Sequence, residues 1–349
     1  MIMMRFVSVL LTVFLLGIGC GVAKGDDVNP RPNILFLISD DHSAKDLGAS
    51  SKNGPRTPVL DRLAAAGARF TNAYTLSPQC SPSRSAMLIG RSPHATGTSR
   101  LHSTLTKEHD TVIDVLKRAG YYVGAFQKVH LGEDFQSRWQ FYGGAEVPFE
   151  EFFKKIPGNK PFFLWVGFDD PHRPYKSGTI SPPHDPISIK VPGFLPDTDS
   201  VRRDLADYYD EISRMDSDVG RVLSLLDSSG YIKNTIVVFA SDNGMPFPGA
   251  KGSLYNDGVN IPLIVRWPEH IAAGQIRNEV VSLADLAPTW LEAAGAPSLP
   301  RMEGQSLMPV LTGKSSTTKD RAVFFERNWH DNLDLIRGVR SGQFLLIQN

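Results

Sequence analysis

Four short stretches bring together residue types that could hold a metal ion and bind a ligand at one edge of a sheet. Asp40-Asp41 and Asp242-Asn243 each follow an apolar run. Three carboxylates and an amide oxygen are hard donors suited to Ca2+ or Mg2+. Lys128 and His130 follow a third apolar run, and Asp169-Asp170-Pro171-His172 follows a fourth. A binuclear zinc site would ask for more imidazole at the metal. Any one Asp-Asp pair is explained by a helix cap or a turn; the recurrence of polar groups after four runs is what marks a site. Cys80-Ser81-Pro82-Ser83-Arg84 adds a thiol. Pro82 suits the first turn of a helix, so Cys80 is expected just before a helix N-terminus, where the partial positive charge favours an anionic group. A reactive thiol at a helix start is the plainer reading of that segment.

The elements that would carry these residues alternate. Asn33 to Ile38, Tyr121 to Phe126, Phe162 to Phe168, Thr235 to Ala240 and Ile261 to Trp267 read as buried strands. Between them, helices are expected from Thr57-Pro58 to Gly67, over 111–120, over 201–229 and within 282–294. In 201–229, Leu205, Tyr208, Tyr209, Ile212, Met215, Val219, Val222, Leu223 and Leu226 make one apolar stripe. Strands alternating with helices imply an α/β fold, a large and mostly parallel sheet flanked by helices. Ligands of such sheets bind beyond the carboxyl ends of the strands, where all four polar stretches would fall.

The chain has 349 residues, enough for one large domain or a large and a small one. With 41% hydrophobic and 21% charged residues it can bury a full core. Lys+Arg and Asp+Glu both number 37, which argues against a polybasic nucleic-acid binder. Two cysteines, Cys20 and Cys80, exclude a disulfide scaffold and a thiolate zinc site. Arg5, the apolar run from Phe6 to Ile18 and Ala23-Lys24-Gly25 read as a secretory signal over 1–25, with an uncleaved anchor as the alternative. Cleavage would remove Arg5, Lys24 and Cys20 and leave Cys80 as the only cysteine. The catalytic α/β domain is then expected over 26–315. Ala322 to Glu326 and Phe344 to Ile347 read as strands of a small antiparallel unit over 316–349, a subdomain whose beginning alone is present.

Cys80-x-Pro82-Ser83-Arg84, with Leu88 and Gly90 beyond it, resembles the signature of the sulfatase family. The resemblance runs from about Asn29 to Asn349 and includes Asp40-Asp41 and Ser241-Asp242-Asn243-Gly244. Within the family, the chain looks closest to the heparan N-sulfatases, or N-sulfoglucosamine sulfohydrolases. Lys128-Val129-His130, 162–173, 191–197 and the run Pro246-Phe247-Pro248 carry that likeness. Ile89 stands where the signature has Thr, and Lys251 where the N-sulfatase pattern has Arg.

The resemblance implies an alkaline-phosphatase-like fold. It also implies conversion of Cys80 to formylglycine by a formylglycine-generating enzyme, and one Ca2+ held by Asp40, Asp41, Asp242, Asn243 and the modified residue 80. A hydroxyl of the hydrated aldehyde would attack sulfur with help from Asp242. Arg84 would hold the hydrate, Lys128 and Lys251 the sulfuryl oxygens; His172 would protonate the leaving group, and His130 would act as base when sulfate is expelled. The implied substrate is a sulfated glycan, first the N-sulfate of glucosamine in heparan-type chains. An O-sulfatase, a phosphodiesterase or phosphonate hydrolase of the same superfamily, and an inactive sulfated-glycan binder are the alternatives. The expected location is periplasmic or extracellular, or lysosome-like in a eukaryote. His42 is expected in a loop, solvated or reaching substrate. Asp169 and Asp170 are expected to orient His172 or cap the turn. Arg173 is open between substrate contact and surface; Arg91, His94 and Arg100 are candidates for the cleft lining, with nothing in the sequence that fixes their direction. Trp329 is expected in the core, with Trp329-His330 as a sugar contact the other reading.

Overall fold

The alternating pattern folds into β1 (Asn33–Ser39), β2 (Ala68–Tyr74), β3 (Tyr122–Gln127), β4 (Phe141–Tyr142), β5 (Phe162–Gly167), β6 (Thr235–Ser241), β7 (Leu263–Arg266) and β8 (Gln275–Ser282). β9 (Ala322–Trp329), β10 (Leu333–Ser341) and β11 (Phe344–Gln348) complete the strands. These come from a computed structural model that describes residues 31–51, 53–314 and 321–349. The expected signal segment 1–25, with Cys20, and the 315/316 boundary lie outside the described residues. No helix among the described residues is long and apolar enough to cross a membrane.

The first eight strands form one sheet in the order β4-β3-β5-β1-β6-β7-β2-β8. β1 runs parallel to β5 and β6, β3 is parallel to β4 and β5, and β2 is parallel to β8. Only β7 runs against its neighbours β6 and β2. The fold is therefore the expected mixed, mostly parallel sheet. Side chains of β1 alternate between two cores, as a period of two requires. Ile34, Phe36 and Ile38 face one layer with Trp165 and Trp290; Leu35 and Leu37 face the other with Leu205, Tyr208, Ile212 and Met215. Both faces are covered, which explains why these strands read as continuous apolar runs.

The long helix spans Asp199–Ser228, with the Thr198 hydroxyl accepting from Val201 N at 3.3 Å. Thr57 does not cap the helix Pro58–Ala65 as expected. Asp216 of the long helix does so instead, accepting from Val59 N at 2.9 Å and Leu60 N at 2.8 Å. Cys80 is the first residue of the helix Cys80–Ile89 rather than the residue before it, because Gln79 takes the N-cap position. The helix within 282–294 is Leu286–Ala293, preceded by a 3-10 turn capped by Ser282.

The antiparallel sheet has the order β11-β10-β9. Val323 and Phe325 pack on Tyr74, Leu254, Val259 and Val280. β9 runs three residues beyond its expected end, to Trp329.

Candidate active site

The order β3-β5-β1-β6 sets the ends of four parallel strands side by side. Ser39 is in register with Ser241, so Asp40-Asp41 and Asp242-Asn243 emerge as neighbours. Lys128 leaves β3 and donates its N–H to the Gly167 carbonyl at 2.8 Å. A Cβ at Gly167 would lie 1.9 Å from the Lys128 carbonyl, and one at Gly244 would lie 1.7 Å from the Asp257 carbonyl. Glycine is required at both places for the backbones to approach. Asp41, His102, Gln127 and His130 all have positive φ, from 56° to 66°. Such conformations cost about 1–3 kcal/mol each for non-glycine residues and gather at functional sites.

Asp40, Asp41, Asp242 and Asn243 are fully buried. Oxygens of the three aspartates lie within 4.8 Å of one another. Asn243 Nδ2 donates to Asp41 Oδ1 at 2.7 Å, and its Oδ1 is buried with no partner. A bare amide oxygen beside three converging carboxylates fits a hard divalent cation. Cys80, a buried free thiol, places Sγ 3.4 Å from Asp40 Oδ1.

Three cations answer the three acids. Arg84 Nε donates to Asp242 Oδ2 at 2.8 Å, Nη2 to Asp40 Oδ2 at 3.3 Å, and Nη1 to the Lys128 carbonyl at 2.6 Å. Lys128 Nζ pairs with Asp40, and Lys251 Nζ lies 2.7 Å from Asp41 Oδ1. Burial alone would raise the Asp40 pKa, but Arg84, Lys128 and Lys251 outweigh it and hold it well below the usual carboxylate range. Asp41 goes the other way, pushed up by burial and by the Asp40 charge. Asp242 is raised for the same two reasons. Burial and the surrounding carboxylates push the Cys80 thiol well up, so the unmodified thiol stays protonated at neutral pH.

A cleft of about 710 Å³ opens above this floor, lined by Asp41, Cys80, Lys128, His130, His172 and Lys251 among others. All six expected catalytic residues are thus in one place, five of them on the cleft wall and Arg84 buried beneath it. His172 Nδ1 bonds the Arg173 carbonyl, which leaves Nε2, 3.9 Å from Asp41 Oδ2, as the nitrogen facing the acids. Burial lowers the His172 pKa below 6.5 against the pull of Asp40. Burial, Arg84 and Lys128 take His130 down to about 3.

Other expectations divide. His42 is neither solvated nor on the cleft wall: it is fully buried, with Nε2 2.6 Å from the Asp46 carbonyl. Asp169 accepts the His172 N–H through its carbonyl at 2.9 Å, while Asp170 forms a two-point ion pair with Arg214. Arg173 lines the cleft, its guanidinium 4.5 Å from the Tyr175 ring and 4.9 Å from Phe247. His94 is held by Glu326 instead. Arg100 lies 4.7 Å from the ring of Trp329, which is half-buried, and His330 lines the cleft. Leu101 and His102 on the cleft wall have no sequence motif that would have singled them out.

The sulfatase family model matches residues 32–296, and one described as "N-sulphoglucosamine sulphohydrolase, C-terminal" matches 250–349. The chain is 32% identical to human N-sulphoglucosamine sulphohydrolase, over 92% of this chain and 73% of that protein. It is 28% identical to an ulvan-active sulfatase of Formosa agariphila, over 91% of this chain and 61% of the relative. Among solved structures, a protein in complex with its substrate D-glucosamine-2-N,6-O-disulfate superposes with a TM-score of 0.77 at 22% identity, covering 91% of this chain and 88% of that one. A phosphonate monoester hydrolase from Silicibacter pomeroyi superposes at 0.79 with 18% identity, over 91% and 87% of the two chains, a likeness of fold. By family match, by identity to a curated relative and by its alkaline-phosphatase-like fold, the chain belongs to the sulfatase family, hydrolases of sulfuric esters.

Proposed function

We propose that this chain removes sulfate from a sulfated sugar, with the N-sulfate of glucosamine in heparan-type glycans as the first substrate. Cys80 is then converted to formylglycine by a generating enzyme, and one Ca2+ is held by Asp40, Asp41, Asp242, Asn243 and residue 80. The observation that carries this reading is the placement of Cys80 Sγ 3.4 Å from Asp40, at the floor of a cleft with three buried acids.

Formylglycine and calcium would together supply an activated hydroxyl nucleophile at neutral pH. The chain's own residues do the rest. Arg84 spans Asp242 and Asp40 and fixes the ligand carboxylates in place. The three acids and three cations of the floor balance, so a bound divalent ion leaves net positive charge, which suits a sulfate or sulfamate monoanion. Lys128 and Lys251 line the cleft and can turn their ammonium donors to the sulfuryl oxygens. His172, fixed through Nδ1, presents Nε2 to protonate the departing nitrogen or oxygen. His130, on the cleft wall, is the residue assigned as base when sulfate is expelled.

The N-sulfate preference is supported by the match over 250–349 and the 32% identity to the human N-sulphoglucosamine enzyme. An O-sulfatase is favoured by one observation: Lys251, a point charge engaged with Asp41, stands where a planar Arg fork is expected. A panel of N-sulfoglucosamine, 6-O-sulfated glucosamine and a phosphate diester separates them. Faster release from the N-sulfate supports the first reading; cleavage of the O-sulfate alone supports the second; preference for the phosphate ester defeats both. The residues from Arg5 to Gly25 support export to a periplasmic, extracellular or lysosome-like compartment.

A further inference from the structure

Beside His130 stands a second imidazole. His102 Nδ1 lies 2.7 Å from His130 Nε2, with ring centroids 4.9 Å apart and planes at 47°. His102 is exposed at the cleft wall and His130 is half-buried. The pair is held on a built frame. His102 has φ 63° and donates its N–H to Ser81 Oγ at 2.7 Å, one residue from Cys80. Leu101 N donates to the Trp329 carbonyl at 3.1 Å, and Arg100 packs over the Trp329 ring. The loop is thus tied both to the Cys80 helix and to the end of β9.

Two imidazoles sharing one hydrogen bond must divide the roles of donor and acceptor. His130 Nδ1 is buried with no partner. If His102 donated, His130 would carry its proton on Nδ1, a buried N–H with no acceptor. If His130 donates through Nε2, its Nδ1 keeps a lone pair, and an unpaired buried acceptor is better tolerated than an unpaired donor.

We propose that His102 is a positioning residue that holds His130 in the Nε2–H tautomer and fixes its ring on the cleft wall. The expected effect on turnover rests on the sulfatase reading of the cleft; the tautomer does not. His130 is neutral across the working range, since burial, Arg84 and Lys128 depress its pKa to about 3. A single tautomer can therefore persist.

Nitrogen-15 spectra of histidine-labelled full chain at neutral pH read the tautomer directly, with the His130 signals assigned by their loss in His130→Gln. In the wild type, Nε2 is expected as the protonated nitrogen and Nδ1 as the bare one. His102→Ala is expected to give a tautomer mixture, and His102→Gln, whose amide oxygen can accept from Nε2–H, to restore one form. On N-sulfoglucosamine, His102→Ala is expected to lose about tenfold in kcat with KM within about twofold, and His102→Gln to recover most of the loss. A wild-type His130 protonated on Nδ1, or a tautomer unmoved in His102→Ala, overturns the proposal. A kcat loss with an unmoved tautomer also overturns it, because His102 then acts elsewhere. If the tautomer shifts as expected but no sulfated compound is turned over, the positioning holds and the sulfatase reading is what fails.

Discussion

Arg84 and Asp242, 158 positions apart in the chain, meet at 2.8 Å with both side chains fully buried. The same guanidinium also reaches Asp40 and the Lys128 carbonyl, so one side chain joins the Cys80 helix to the ends of β1, β3 and β6. Removing one partner of a buried ion pair strands the other charge, at a cost of about 3–5 kcal/mol. Arg84→Ala is therefore expected to lower the unfolding free energy by that order in urea titration, besides losing activity. Arg84→Lys, a point charge without the fork, should recover part of the stability and little of the activity. An Arg84→Ala protein as stable as the wild type would show that the pair does not hold the floor together.

The cation site has its own test. Asp242→Asn keeps the shape and removes one ligand charge. Calcium added to the wild type should raise the melting temperature in a concentration-dependent way, as any ligand of the folded state does. That shift should shrink or vanish in Asp242→Asn. An equal shift in both proteins would place the ion elsewhere.

His172 is the expected general acid. His172→Ala should keep KM near the wild-type value on a sulfated glucosamine and lose about 10²–10⁴-fold in kcat. The loss should be much smaller on an aryl sulfate, whose phenolate leaves without a proton. Its depressed pKa adds a sign: burial makes the ring lose its proton at a lower pH than an ordinary histidine, so the limb it governs falls as pH rises. That limb should be missing in His172→Ala, which a kcat/KM profile over pH would read.

Stability should carry a separate pH signature from Asp46. Burial lifts its pKa from 3.8 to about 7, with the Tyr208 and Tyr209 hydroxyls at 3.4 Å and 3.5 Å. A raised carboxyl pKa means that the folded state binds the proton more tightly. Its contribution is full below 3.8 and is lost as pH rises through about 7. Across that window, this group should lower stability by about 1.4 kcal/mol per pH unit at most. Asp46→Asn, neutral at every pH, should flatten the decline in urea titrations. An unaltered slope would mean that Asp46 is not the group responsible.

Much of the site was legible because its residues stand where apolar runs end. In a parallel sheet covered on both faces, such runs are strands and their ends share one edge. β2 and β8 were not legible. Ala68–Tyr74 and Gln275–Ser282 mix polar and apolar residues, because the first half of β8 lies exposed at the sheet edge. The reversal of β7 is a matter of connection, and no side-chain pattern reports it. β10 was not singled out either: Asp334, Arg337 and Arg340 interrupt its apolar residues, and its pairing with β9 and β11 is what makes it a strand. Thr57 has the position of a cap, but Asp216, from a helix far along the chain, supplies the bond. His42 departs from expectation for a related reason: the segment after β1 is buried against Tyr208 and Phe239 rather than left as an open loop. His102 could not be found from sequence, since its place depends on a left-handed turn, on Ser81 and on Trp329 at once.

In the proposed reaction, residue 80 attacks a sulfuryl group above a floor that would hold a divalent ion. Release of inorganic sulfate from N-sulfoglucosamine tests it most directly, comparing wild-type protein with Cys80→Ala, both made in a host with the formylglycine-generating enzyme. The expected result is sulfate release by the wild type, none by Cys80→Ala, and a position-80 peptide whose mass is that of the aldehyde. Full release by Cys80→Ala, or an unmodified thiol at position 80 in a fully active protein, would contradict it.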